Sequence, residues 1–431
     1  MSKSIAICGA GFTGLAAGLQ LLKLGYKVTI FEKERWPGGL ADGFKDPSWN
    51  WTLEKHYHHF FTNDNKVLDL AKEIGHKIII ERPNTSVFVD NEILQLDSPL
   101  KALTFPKLSL LQRLRMSLVL AIFRYNPFWK PLEKLKTTRT LPKLMGKKAY
   151  KMIWEPQLVG KFGKNADEIS LAWFWARIKK RTTKLAYPEK GFLEFAKNLV
   201  QEIEKKGGKI HFETQVNEIE SKNKIKLKIK SKNIRTKEFE FDKVIVTLPS
   251  FTFLKIARGL PSNYQKKLSL LKGLGAINVV IRLKKPFFPK DIYWLSVCDK
   301  NSPAMAVVEH TNFMDKSFYN NEHIIYVGKY LPFNHSYFQK SDEEILKTYD
   351  PYLRKMNENY KKEIIDYKVF RAPFAQPLIP INYSKIIPSF TTPLNNVYLA
   401  NIQQVYPWDR GTNYAVEMGE KVAEMITERD K

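Results

Sequence analysis

The residues whose types and spacing are best suited to chemistry stand in the first forty positions. Gly9-Ala10-Gly11-Phe12-Thr13-Gly14 is a G-x-G-x-x-G run. In such a run Gly9 permits a tight turn, Gly11 lets the backbone approach a pyrophosphate, and Gly14 lets a helix pack closely on a strand. The N–H groups of Phe12, Thr13 and Gly14 then open a helix and receive phosphate charge. Glu32, with Lys33 beside it, stands where a carboxylate can accept hydrogen bonds from both hydroxyls of a ribose. A carboxylate there opposes a 2′-phosphate and so disfavours NADP.

Two further stretches hold reactive side chains. Three of the eight histidines, His56, His58 and His59, fall inside Glu54–Asp64. Their aromatic surroundings and the absence of nearby cysteines argue against a metal, and no metal is expected. Near the other end, Tyr406-Pro407-Trp408-Asp409-Arg410-Gly411-Thr412-Asn413-Tyr414 leads into a helix ending near Arg429.

These residues need particular elements to position them. Ile5–Cys8 reads as a buried parallel strand, Leu15–Leu24 as a helix stopped by Gly25, and Lys27–Phe31 as a second strand. Strand, glycines, helix, strand and acid in this order specify a dinucleotide-binding unit far better than the glycines alone. Ser86–Val89 and Glu92–Leu96 flank Asp90-Asn91 as a hairpin. Leu108–Phe123 reads as a leucine-rich helix, with apolar positions 110, 111, 114, 118, 121 and 122 on the 3.6 period. More helix follows through Trp154 and again over Leu171–Ile178. A helix over Leu193–Lys205 and a strand over His211–Val216 come next. Along 222–230, lysines alternate with mostly apolar residues, predicting a solvated hairpin face that resists edge pairing. Gly275–Leu283 and Asn396–Asn401 read as further strands.

The segment Glu34-Arg35-Trp36-Pro37-Gly38-Gly39-Leu40-Ala41 resembles the second glycine motif of the amine oxidase, protoporphyrinogen oxidase and phytoene desaturase superfamily. The resemblance implies FAD, with Gly38, Gly39 and Leu40 passing close to it. It implies that Val216 contacts the adenine through its backbone. It also implies that the final strand, loop and helix return to the flavin, through Asn401, Arg410, Gly411, Thr412, Asn413 and Tyr414. Ala400 and Asn401 stand where the family often has a glycine and an acid. The histidine segment is similar to one in UDP-galactopyranose mutases. His58 and Thr62 match it, Phe61 replaces its second histidine, and its glycine is absent; the likeness implies His58 beside the flavin.

The expected fold is α/β: a Rossmann-like FAD-binding domain (1–80, 187–260 and 391–431) and an α+β substrate domain with a helical insertion (81–186 and 261–390). The expected function is an FAD-dependent oxidoreductase taking a hydride from an organic substrate at flavin N5. The alternative is a redox-neutral mutase-like sugar-nucleotide enzyme using reduced FAD, and a third class is a non-catalytic flavin-binding protein. The net charge of +26 over 431 residues favours acidic partners or reflects compositional bias. No nucleic-acid signature accompanies it, so the expected partner is a small molecule. The 108–129 stretch, with Arg113, Arg115, Arg124, Tyr125, Phe128 and Trp129, is a candidate for peripheral membrane contact. Two distant cysteines, Cys8 and Cys298, and no visible secretory signal or spanning segment suggest the cytoplasm.

Overall fold

The computed structural model describes residues 3–231 and 234–430. Ser4–Cys8 lies at the centre of a five-stranded parallel sheet, between Lys27–Phe31 and Lys243–Val246; Lys209–His211 and Val397–Leu399 form the edges. Its central strands are continuous apolar runs because both faces are covered, one by helices and the other by the antiparallel strands of 214–241. The helix on Ser4–Cys8 starts at Phe12 and runs to Lys23; Gly25, at φ +86°, turns the chain away. The terminal helix Thr412–Glu428 packs along it. Gly419 makes that approach feasible: a Cβ there would lie 2.4 Å from the Thr13 carbonyl oxygen.

The strand expected over His211–Val216 is two strands. Lys209–His211 belongs to the parallel sheet, and Glu213, at φ +50°, redirects the chain into an antiparallel meander of Thr214–Ser221, Ile225–Ser231 and Ile234–Phe241. The lysine-alternating strand is therefore central and not an edge. Ile225, Leu227 and Ile229 point into the core, while Lys226 pairs with Glu240 and Lys228 with Glu218 across the strands. Alternation arose here from cross-strand charge pairing and not from protection of an edge.

A seven-stranded mixed sheet faces this body, in the order Ile364–Pro377, Gly273–Leu283, His323–Leu331, Ala306–Glu309, Ile292–Val297, Asn84–Val89 and Glu92–Gln95. The last two form the expected hairpin, with Asp90 and Asn91 both at positive φ as a tight two-residue turn requires. Between them and the return of the chain at Leu185–Pro188 lies a helical insertion. Its helix Leu110–Tyr125 begins at a Ser109–Gln112 capping box. Met116, Val119 and Phe123 are its buried face. The apolar stripe read from the sequence points outward instead: Leu111 is 78% and Leu118 62% exposed.

Candidate functional site

The glycines build a cradle at the C-terminal edge of the parallel sheet. Gly9 sits at φ +108°, where a Cβ would strike the Thr247 hydroxyl at 2.6 Å. At Gly14 a Cβ would lie 2.0 Å from the Gly9 carbonyl oxygen, so helix and turn touch backbone to backbone. Gly38 N–H donates to the Ala10 carbonyl at 2.9 Å, and Gly38 and Gly39 both take positive φ. This brings the second glycine segment against the first: a Cβ on Gly39 would lie 3.1 Å from the Gly11 Cα, while a Cβ on Gly11 would meet the Gly39 Cα at an ordinary contact distance of 3.8 Å. Among the described residues no side chain caps the helix that starts at Phe12, and its first turn holds no acid, which leaves the N–H groups of Phe12, Thr13 and Gly14 available to an anion. Such a cradle, lined by backbone donors, fits the diphosphate of a dinucleotide.

Glu32 ends the second strand. Its carboxylate accepts from Ala10 N–H at 2.8 Å and Glu34 N–H at 2.9 Å, and burial raises its pKa above the ordinary value. Lys33 points to solvent and pairs with Glu34. Val216 is buried in the strand whose first residue, Thr214, donates to the Glu32 carbonyl. Leu40 is half-buried against Ala276, Ala372 and Ala375.

Beyond Leu40 the chain enters a cavity of about 250 Å³ between the two sheets and the helical insertion. His58 borders it. Its Nδ1 lies 2.6 Å from the His56 carbonyl, which can only accept, so Nδ1 carries the proton. Burial, with Arg410 nearby, pushes His58 down to about 4. The ring is neutral at pH 7 and offers an Nε2 lone pair. His59 meets the Tyr293 hydroxyl at 3.1 Å, and burial pushes His56 and His59 down to about 3. The three histidines thus face different partners, and among the described residues no three His, Cys, Asp or Glu side chains converge as metal ligands.

The opposite wall is an ion cluster. Asp409 accepts from Lys161 at 3.3 Å, Arg177 at 3.1 Å and the Trp173 indole at 3.1 Å. Arg410 donates to Gln376 at 3.0 Å and to the Tyr330 hydroxyl. Burial outweighs Asp409 at Lys161, and with Arg177 and Arg410 adding like charge the ammonium falls to about 7. The flanking cations hold Asp409 well below the ordinary carboxylate range. Gly411 and Thr412 complete this wall at the N-terminus of the last helix, and Tyr414 lines it from the same first turn. Asn401 and Asn413, also expected at the cofactor, hold neighbouring backbone through their side chains. The Asn401 amide donates to the Leu248 carbonyl and accepts from Gln403 N–H, and Asn413 accepts from Val67 N–H.

Sequence reasoning had not picked out Lys161, Trp173, Asp409 or Tyr330 as site residues. Lys161 and Asp409 are 248 positions apart and meet only in the fold. The available signal was local: an acid directly before Arg410 in an aromatic loop.

A diphosphate cradle on a parallel sheet, joined to a cavity under a second sheet, defines a dinucleotide-dependent enzyme of two layers. The chain belongs to the flavin-containing amine oxidoreductase family, whose model matches residues 12–427. It is 34% identical over 96 residues to zeta-carotene desaturase from Capsicum annuum, covering 22% of this chain and 16% of that protein. Over 88 residues it is 31% identical to hydroxysqualene dehydroxylase from Sinorhizobium fredii, covering 20% and 21%. These matches span less than a quarter of either relative. Among solved structures, a protein from Exiguobacterium sp. 255-15 described as a protoporphyrinogen oxidase aligns with a TM-score of 0.78 at 16% identity, over 100% of this chain and 99% of that one. A putrescine oxidase variant gives 0.77 at 15% over 99% of each, and a reduced UDP-galactopyranose mutase 0.76 at 14% over 99% and 94%. At these identities the likeness is one of fold.

Proposed function

We propose that the protein oxidises an organic small molecule bound in the cavity beside His58, with net transfer of electrons out of the substrate. FAD, when bound, supplies the hydride-accepting N5. In this reading Gly9, Gly11, Gly14, Gly38 and Gly39 let the backbone close around the diphosphate, and Glu32 takes the ribose. Trp173, Trp294 and Tyr293 wall the cavity and keep water from the reacting carbon. Neutral His58 holds an acceptor at Nε2 for a proton of the substrate. The turn Gly411–Thr412 aims a helix N-terminus at the same space and stabilises negative charge there. The observation that carries the proposal is the shared helix: Thr412–Glu428 packs on the Phe12–Lys23 helix of the cradle and opens at the cavity wall.

The test is anaerobic mixing of the FAD-loaded protein with candidate amine and lipophilic substrates. Substrate-dependent loss of visible flavin absorbance, recovered with oxygen, is expected. Sugar-nucleotide isomerisation only after dithionite reduction, with no substrate bleaching the flavin, would overturn the proposal. The family match supports net redox turnover over the mutase alternative.

The same reading includes docking on an anionic bilayer surface through the outward face of Leu110–Tyr125. Leu110, Leu111, Leu114, Leu118 and Ile122 are all about half exposed or more, and Tyr125 and Phe128 extend the patch at 79% and 72%. From Ser98 to Leu132 the chain carries six Lys and Arg residues and no acid. An apolar stripe on a segment whose own charges are all positive complements anionic lipid, as an interfacial helix does. Among the described residues no helix is long and apolar enough to cross a membrane. The helix packs on Leu171–Lys180, which lines the cavity, so a lipid-dissolved substrate would have a short path to it.

A further inference from the structure

The cavity wall carries more positive charge than its own acids neutralise. Its lining includes Lys161, Arg177, Lys180, Arg181 and Arg410 against Asp64, Asp97 and Asp409. One carboxylate, Asp409, serves both Lys161 and Arg177. The Arg410 guanidinium spends its bonds on two neutral groups, Gln376 and Tyr330. Lys180 lies over the Trp408 ring at 4.8 Å. Among the described residues the Arg181 guanidinium forms no ion pair, and Asp97 is the carboxylate whose charge favours its protonated form. Asp64 is engaged by Phe61 N–H, and burial pushes it up to about 6 against the pull of that hydrogen bond and of Lys180.

The consequences are visible in the neighbouring bases. Arg177 and Arg181 both help to depress His59, and Arg410 helps to depress His56 and His58. A cavity with such a field repels an alkylammonium ion and is relieved by an anion. Arginines are the side chains that hold a carboxylate or phosphate through paired N–H donors.

We infer that the substrate carries an anionic head, a phosphate or carboxylate, which Arg177 and Arg181 bind with Lys161 behind them, while its carbon frame lies against the tryptophan and tyrosine walls. This deepens the oxidase reading and rests on it: the amine-type substrates suggested by the family name are disfavoured in this chain. No further residue is needed for the chemistry, since the anion serves for positioning alone.

The experiment is equilibrium binding to the FAD-loaded protein, read by perturbation of the flavin spectrum and by calorimetry, and needs no turnover. Hexyl phosphate, hexanoate, hexylamine and hexanol are the probes. The two anions should bind about tenfold or more tighter than hexanol, and hexylamine weakest. Hexyl phosphate against hexanoate then decides which anion the arginines prefer. Arg181→Gln should weaken anion binding about tenfold, and Arg181→Glu should reverse the order of hexylamine and hexanoate. Retained FAD and an unchanged melting temperature show that each variant is folded. Equal binding of all four probes, or hexylamine binding best, would overturn the inference. Failure of the oxidase reading would show separately, as anions that bind while no organic substrate bleaches the flavin.

Discussion

The ammonium of Lys161 and the carboxylate of Asp409 meet at 3.3 Å in a nearly enclosed wall of the cavity, the lysine side chain only 9% exposed. Arg177 reaches the same carboxylate oxygen from the next helix at 3.1 Å. Removing the acid leaves cations facing one another without compensation. Asp409→Asn should cost about 2–3 kcal/mol, less than a fully buried pair because Arg177 reaches solvent. Lys161→Met combined with Asp409→Asn should recover part of that loss. Urea unfolding of the FAD-loaded proteins measures both; equal stability of the single and double variants would show that the pair is uncoupled.

The same pair sets a pH dependence. Lys161 falls from 10.5 to about 7 in the fold, chiefly by burial, with Arg177 and Arg410 adding like charge and Asp409 opposing it. A base with a lowered folded pKa binds fewer protons than in the unfolded chain between about 7 and 10.5. Its contribution to stability therefore rises with pH across that window and is lost below it. Anion binding runs the other way, because the protonated form attracts the ligand. Hexyl sulfate, whose charge is constant near neutrality, should bind about three- to tenfold tighter at pH 6 than at pH 8. Lys161→Met should flatten the profile.

The glycines of the cradle separate folding from cofactor binding. Gly14 faces the Gly9 carbonyl at a distance no Cβ can occupy, so Gly14→Ala should impair folding itself, seen as a lowered melting temperature of the apoprotein. Gly11 has ordinary φ, −71°, and room for a Cβ. Gly11→Leu should fold and yet lose FAD, because its side chain would fill the space left for the diphosphate. Yellow, FAD-retaining Gly11→Leu protein would show that the diphosphate runs elsewhere.

What the sequence made legible follows the range of the interactions. The cradle was readable because turn, helix start and acid are set by neighbours within about thirty residues, in positions that backbone geometry fixes. The hairpin at Asp90-Asn91 was readable for the same reason. The break at Glu213 was not, since nothing in 209–216 marks a single left-handed residue inside what reads as one extended segment. Nor was the Lys161–Asp409 pair, because nothing local marks a lysine in a helix as buried. The helix Leu110–Tyr125 was read correctly as a helix, but its outward and inward faces are both apolar, and periodicity alone cannot tell which one packs.

That two-faced helix carries the last prediction. Leu111 and Leu118 touch little inside the protein, at 78% and 62% exposed, so replacing them should leave the fold within about 0.5 kcal/mol of its original stability. Burying such side chains in a bilayer interface is worth roughly 1.5–3 kcal/mol each, and a glutamate there adds repulsion from anionic lipid. Leu111→Glu with Leu118→Glu should therefore lose flotation with vesicles of phosphatidylglycerol and phosphatidylcholine while keeping its FAD and melting temperature. Met116→Glu, on the buried face, should instead unfold the insertion. Binding of the original protein should weaken with added salt, because Lys101, Arg115 and Lys130 supply part of the attraction. A protein that stays in the supernatant with these vesicles at low salt, before any substitution, would rule out the membrane face and leave the stripe without that occupant.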